Sequence, residues 1–227
     1  AQSEAANGCK FVNYWLHNGF INIDNKKMSK SLGNFFTVRE AAAAYGYDCI
    51  RMFMLMSHYR SPLNYSGEIL MQAKAALERL RTAKNNLEFF IANGRDGDLS
   101  EADAAFVAGL DQYREKFDAV MDDDFNTAGG LAAIFSLVTS ANTYLADAGT
   151  AAGGKAAKAA AEALAELAGV LGITLAAEED ELPAELVGLA EKYAGYQGNS
   201  AVEAADALIA ARQAARKAKD WGTADGI

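Results

Sequence analysis

Proline is the residue that this chain all but lacks: it occurs twice in 227 positions. Each proline interrupts a helix, so its scarcity frees the chain to build long helices and argues against a loop-rich β-sandwich. The apolar spacing uses that freedom. Ile69, Ala73, Ala76, Leu80, Leu87 and the pair Phe90–Ile91 recur at helical intervals, predicting a long helix from Ser66 to about Asn93, stopped by Gly94. Ser100 opens another helix through Phe106, Leu110, Tyr113, Phe117 and Val120, ending at the acidic run Asp122-Asp123-Asp124. Asn126 or Thr127 is expected to cap the next helix, which carries Leu131, Ile134, Phe135, Val138 and Leu145. Beyond a linker at 149–154, an alanine-rich helix covers about 155–172, an acidic loop 176–182, and a less periodic helix runs to about 194. The break from Gly195 to Asn199 precedes a last helix, from Ser200 through Leu208 and Arg212 to Lys219.

The first 65 residues read differently. Residues 11–23 are rich in aromatic and β-branched side chains and hold Asn18-Gly19 between two apolar runs, which predicts a hairpin there. A polar loop follows over 24–36, and Thr37-Val38-Arg39-Glu40 has the pattern of a capping box, so a helix is expected from Thr37 to about Gly46. Asp48 is expected to cap the helix after it, with Met52, Met54 and Met56 as core filler. Pro62 breaks the pattern within Tyr59-Arg60-Ser61-Pro62-Leu63-Asn64-Tyr65, which reads as a packed elbow. The expected fold class is mainly α: a small α/β part followed by an antiparallel helical bundle.

Composition bounds the function through its distribution. The net charge of −9 argues against a uniformly basic nucleic-acid binder, but residues 1–95 hold 12 basic against 7 acidic side chains, and residues 96–227 hold 9 against 23. The positive part is the candidate for anion contact. Cys9 and Cys49 have neither metal-type nor disulfide-type spacing, which suits a reducing, cytoplasmic compartment, and no apolar run is of transmembrane length. The chain begins Ala1-Gln2-Ser3-Glu4 and stops at Ile227 in sequence that still reads as helical, so a piece of a longer protein is expected.

The sharpest chemical signal is Lys27-Met28-Ser29-Lys30-Ser31, followed by Gly33-Asn34. Two ammonium groups three residues apart, in a loop of small hydroxyl side chains, can be brought to a polyphosphate and withdrawn. Nucleotidyl transfer needs such cations: pyrophosphate leaves the α-phosphorus and charge builds on phosphate oxygens. A solvated lysine-rich turn is the bland alternative, and the setting between a strand and a capped helix disfavours it.

That five-residue string resembles the second signature motif of class I aminoacyl-tRNA synthetases. Its surroundings narrow the likeness. Val12-Asn13-Tyr14-Trp15-Leu16-His17-Asn18-Gly19, Ser31-Leu32-Gly33-Asn34-Phe35-Phe36-Thr37-Val38-Arg39, Ser57–Ser66, Met121–Thr127 and Ala215–Trp221 together resemble the bacterial cysteinyl-tRNA synthetase family. The likeness covers residues 1 to about 145 and about 203–227, and no motif is recognised over 146–200. It implies that residues 1–45 are the tail of a Rossmann-like catalytic domain, 46–95 a stem-contact region with its connecting helix, and 96–227 a tRNA-binding, DALR-like bundle. The implied activity is ATP-dependent activation of cysteine to cysteinyl-adenylate, then transfer to tRNA(Cys), with Mg²⁺ accompanying ATP. Lys27 and Lys30 would be catalytic, with Met28, Ser29 and Ser31 completing the ATP loop. Zinc belongs to the parent protein by the same likeness, on ligands that are not in this chain. The parent is expected to be a monomer, and the chain alone inactive. A methionine-type class I synthetase and an isolated helical tRNA-binding module are the alternatives.

Contacts with tRNA are expected at Arg60, Lys74, Arg79, Arg81 and Lys84, the last four on the helix face away from Ala73, Leu77 and Leu80. The run Asp122-Asp123-Asp124 reads as a corner between helices rather than a metal site, and Trp15 as a core residue.

Overall fold

The computed structural model describes residues 1–29, 37–176 and 185–226, which form two units, Ala1–Ala176 and Ala177–Ile227. The first unit is organised by one helix, α4 (Gly67–Asn93). Ser66 caps it, its hydroxyl accepting from the Ile69 amide at 3.3 Å. Leu70, Ala73, Leu77, Leu80, Ala83 and Leu87 fall on one stripe, and all six are buried. Against that stripe pack α3 (Tyr47–Leu55), α7 (Thr127–Ala148) and α8 (Gly154–Val170). The alanine-rich helix α8 buries Ala157, Ala160, Ala163 and Ala168 with Leu164 and Leu167, and small side chains let helix axes approach closely.

The remaining elements of this unit are α1 (Gln2–Asn7), α2 (Val38–Tyr45), α5 (Glu101–Ala108), α6 (Asp111–Asp122) and three short strands, β1 (Ile21–Ile23), β2 (Lys26–Lys27) and β3 (Leu63–Tyr65). The single helix expected from Ser100 is two, because the chain turns at Gly109-Leu110. Ser100 does open the first of them, in a reciprocal capping box with Asp103. Thr37 and Glu40 form the other expected box: the Thr37 amide donates to Glu40 Oε2 at 2.6 Å and the Glu40 amide to Thr37 Oγ1 at 3.2 Å. Asn126 caps α7 through the Gly129 amide at 2.9 Å.

Asp48 does not cap α3. The cap position falls on Gly46, and Asp48, in the first turn, holds Arg81 at 3.0 Å instead. Of the three methionines expected in the core, Met52 is buried and Met56 half-buried, while Met54 is exposed. The second unit contains α9 (Glu185–Ala194), α10 (Ala201–Lys217) and α11 (Trp221–Gly226). Its core is Ala190, Ala204 and Leu208, flanked by Leu186, Val187, Tyr193 and Tyr196.

One buried acid ties the far end of α4 to α8. Asp103 is 1% exposed and accepts from the Tyr144 hydroxyl at 2.5 Å, the Ser100 amide at 2.8 Å and the Arg95 guanidinium. The Gly153 amide donates to the Tyr144 oxygen at 3.0 Å. A side chain at Gly153 would collide with the Asp103 carboxylate, which is why this position holds glycine. The Tyr144 hydroxyl first, then the Ser100 bonds and the Arg95 charge, hold the Asp103 carboxyl well below the ordinary carboxylate range despite its burial. A depressed pKa contributes stability that is present above the unfolded value of about 3.9 and lost as pH falls through the folded value. Asp103→Asn is therefore expected to cost about 3 kcal/mol at pH 7, the scale for breaking a buried charged pair. In urea denaturation, the gap between the two proteins should close as the pH is lowered below 4.

Candidate functional site

The lysine string begins on a two-stranded ribbon. The β1 strand pairs with β3 in parallel, Ile21 opposite Leu63, and with β2 antiparallel, Asn22 opposite Lys27. The hairpin turn is Asp24-Asn25, with φ of 47° and 60°, the left-handed pair that a two-residue hairpin matched to strand twist requires. Asparagine and aspartate tolerate that region better than most residues do. The expected turn at Asn18-Gly19 is not there, and Lys26–Lys27, expected in a loop, are strand. Gly19 instead presses against the elbow: its amide donates to the Tyr59 carbonyl at 2.7 Å, and a side chain there would collide with the Ser61 carbonyl. Trp15, expected in the core, is 70% exposed.

The ribbon is held from β3. Asn64 Oδ1 accepts the Asn25 amide at 2.7 Å, and the Tyr65 carbonyl accepts the Asp24 amide at 3.2 Å. Met28, next in line, lines an apolar cleft of about 280 Å³ with Ile21, Val38, Phe53, Met54 and Tyr65. The near end of the string is thus fixed by pairing and by Met28, and the next described residue, Thr37, is fixed by its capping box. Lys27 is exposed on β2 and Met28 and Ser29 follow it, whereas Lys30 and Ser31 lie outside the described residues.

The elbow carrying β3 is locked to the corner between α6 and α7. Asp124 takes a left-handed conformation, φ 59°, and its carboxylate accepts from the Tyr59 hydroxyl at 2.8 Å and from Arg60 Nε at 2.8 Å. His58 Nε2 lies 3.1 Å from the Asp124 carbonyl oxygen. The Tyr59 hydroxyl first, then Arg60 and His58, lower the Asp124 pKa. The acidic run is therefore a corner, as expected, and one of its carboxylates is also the clamp on the elbow. Thr127 Oγ1 adds a bond to the Leu55 carbonyl at 3.0 Å.

The expected basic face of α4 divides. Lys74 and Arg79 are exposed, and Lys84 is bonded to Glu88 at 2.7 Å. Arg81 departs from the expected face: its side chain is 4% exposed, ion-paired with Asp48 and Glu78 at 3.0 Å each. Arg60, which is exposed, is engaged by Asp124. Among the described residues, no group of three or more histidine, cysteine or acidic side chains is placed to hold a metal ion. Cys49 is buried with its thiol on the Leu70 carbonyl at 3.4 Å, and Cys9 is exposed.

Residues 1–75 match the tRNA synthetases class I (C) catalytic domain, and residues 116–176 match the DALR domain. Cysteine–tRNA ligases of Laribacter hongkongensis and Lachnospira eligens are 43% and 40% identical to the chain over all 227 residues. The Clostridioides difficile ligase is 42% identical over 91% of it. Along its whole length the chain is similar to cysteine–tRNA ligases. It spans 43–44% of the length of these relatives. A solved Agrobacterium radiobacter LeuRS–tRNA–LeuAMS ternary complex shares the fold at TM-score 0.51 and 24% identity, over 68% of this chain and 22% of that one. The lysine string thus falls inside the matched catalytic segment, and α7 and α8 inside the matched DALR segment.

Two substitutions test the supports. Asn64→Ala removes a bond worth about 1 kcal/mol and should speed amide exchange at Asn25 to Lys27 without changing the global unfolding midpoint. Arg81→Ala empties a buried position and leaves the partly exposed Asp48 and Glu78 without their cation, and should lower global stability by about 1–2 kcal/mol in chemical denaturation.

Proposed function

We propose that the chain is the lysine-loop and tRNA-contacting portion of a cysteine–tRNA ligase, acting in the cytoplasm. In the whole protein, cysteine and ATP form cysteinyl-adenylate and pyrophosphate, and the cysteinyl group then passes to the 3′ end of tRNA(Cys). The observation that carries this reading is the ribbon pinned by Asn64, which delivers Lys27 and Met28 directly into the Ser29-Lys30-Ser31 sequence. The family match over the whole chain supports it. Because the chain spans well under two thirds of its relatives, the chain alone is expected to activate no amino acid.

The roles follow from where charge moves. Attack of the cysteine carboxylate on the α-phosphorus breaks the bond to the β-phosphate, and negative charge shifts onto the departing pyrophosphate, with Mg²⁺ accompanying ATP. Lys30, seconded by Lys27, supplies ammonium groups where that charge accumulates, while Ser29 and Ser31 supply small hydroxyls. Ground-state ATP has many other contacts, so the lysines act mainly on the transition state. Exposed Lys74 and Arg79 meet RNA phosphates. Arg60, Arg81 and Lys84 hold carboxylates in the free chain, so any contact with RNA requires an exchange of partners.

The experiment is single-turnover formation of cysteinyl-adenylate by a full-length ligase carrying this chain. Lys30→Ala should slow that step by about 10²–10³-fold and change ATP binding far less. Lys30→Arg should also be impaired, because a planar fork does not replace a compact ammonium. Activation at the parental rate, or slowing of the transfer step alone, would remove Lys30 from this role.

A further inference from the structure

One arginine of the bundle has a fixed position and no acidic partner. Arg79 projects from α4 onto α7, its guanidinium 5.0 Å from the centroid of the Phe135 ring and its Nη2 3.2 Å from Thr139 Oγ1. Two neutral contacts hold it, and among the described residues no carboxylate pairs with it. Three other arginines of this unit differ. Arg81 holds Asp48 and Glu78, Arg95 holds Asp103, and Arg114 holds Asp111 and Glu166. The surroundings of Arg79 are as unusual. Asp147 is the single charged residue of α7, in the half of the chain with 23 acidic side chains.

Arg79 lies in an open groove of about 640 Å³, lined also by Tyr113 of α6 and by Phe135, Ser136, Thr139 and Ser140 of α7. The hydroxyls of Ser136 and Thr139 donate to the Ala132 and Phe135 carbonyls of their own helix, at 2.8 and 2.9 Å. Their protons are therefore spent, and Arg79, Tyr113 and Ser140 are the donors left for a ligand, Arg79 being the cation among them. The Tyr113 hydroxyl makes no hydrogen bond among the described residues, although its backbone amide donates to the Leu110 carbonyl at 3.1 Å. A guanidinium with unspent N–H groups, steadied on an aromatic face and not ion-paired among the described residues, suits a planar two-point grip on an anion. The groove is too open to enclose a small molecule and suits one group of an extended chain.

We propose that the groove between α4, α6 and α7 is a phosphate site taking one backbone phosphate of an RNA strand, with Arg79 as its cation and Tyr113 as its neutral donor. This rests on the tRNA-ligase reading of the chain and adds a specific seat for the strand on the bundle. Bound RNA would run along α7, whose single charged residue, Asp147, lies at the far end of the helix from Phe135.

The test is binding of a tRNA(Cys) transcript to the chain by fluorescence anisotropy across a salt series, with the ¹⁵N–¹H signal of Arg79 Nε as a direct readout. Arg79→Gln should weaken binding about tenfold, the scale of one charge-assisted hydrogen bond. It should also reduce the slope of log affinity against log salt by about one. Tyr113→Phe should weaken binding less, and Arg114→Gln, whose arginine is already paired, should leave it unchanged. The Arg79 signal should move on adding the transcript and respond to sodium phosphate only at far higher phosphate concentration. Unchanged affinity and slope in Arg79→Gln, with wild-type binding intact, would overturn the seat while leaving the ligase reading standing. Saturation of Arg79 by sodium phosphate at the same phosphate concentration as by RNA would overturn the assignment to a strand. An Arg79 signal that does not move with the transcript would overturn both arms, whatever the adenylate-forming step does.

Discussion

The buried stripe of α4 is the contact on which the rest of the first unit depends. Six apolar side chains from Leu70 to Leu87 lie at under 3% exposure along one face, and three helices that do not meet α4 in sequence meet it there. The helix needs this contact: its apolar residues gather on one stripe, and in proteins most helical stability comes from packing such a face. Burial supplies the stability, at about 25 cal/mol per Å² of apolar surface removed from water. The two ends of the stripe then become attachment points. At the far end, Arg95 and Asp103 bind the start of α8. At the near end, Ser66 caps α4 directly after β3, so the strand that holds the lysine ribbon leaves the core at a defined place.

From that strand, positional information passes through a short series of polar contacts. Asp124 clamps Tyr59 and Arg60, the elbow places Leu63 to Tyr65, and Asn64 holds the Asp24-Asn25 turn from which Lys26 and Lys27 emerge. None of these bonds is deeply buried, and each is individually modest. Their arrangement keeps Asp24 to Lys27, the base of the lysine string, in register with β3. The apolar cleft beside Met28 gives the base one more fixed point.

Much of this was legible in the residue order, for local reasons. The helices of the bundle follow from spacing, and the caps at Thr37, Ser66, Ser100 and Asn126 follow from side chains that satisfy amides three residues on. The lysine string and its neighbouring blocks identified the family, because several separated blocks occur in order. What escaped was long-range. Asp124 and Tyr59 are 65 positions apart, and nothing in either neighbourhood signals their bond. Arg81 sits among charged neighbours and looks solvated, yet Asp48 of another helix draws it inward. The hairpin was misplaced by Asn18-Gly19, a strong turn signal, because Gly19 serves close approach to Ser61 and the left-handed turn falls to Asp24-Asn25. Trp15 is exposed because aromatic content alone does not place a residue inside.

The claim that joins fold to function is that this chain supplies the phosphate-facing lysines of a cysteine-activating site. It is tested most directly by replacing the matching portion of the Laribacter hongkongensis ligase, 43% identical, with this chain and measuring amino-acid-dependent ATP–pyrophosphate exchange. The chimera should exchange with cysteine, should not exchange with methionine or leucine, and should lose exchange when Lys27 and Lys30 are both replaced by alanine. A folded chimera that exchanges equally well without those two lysines would contradict the account.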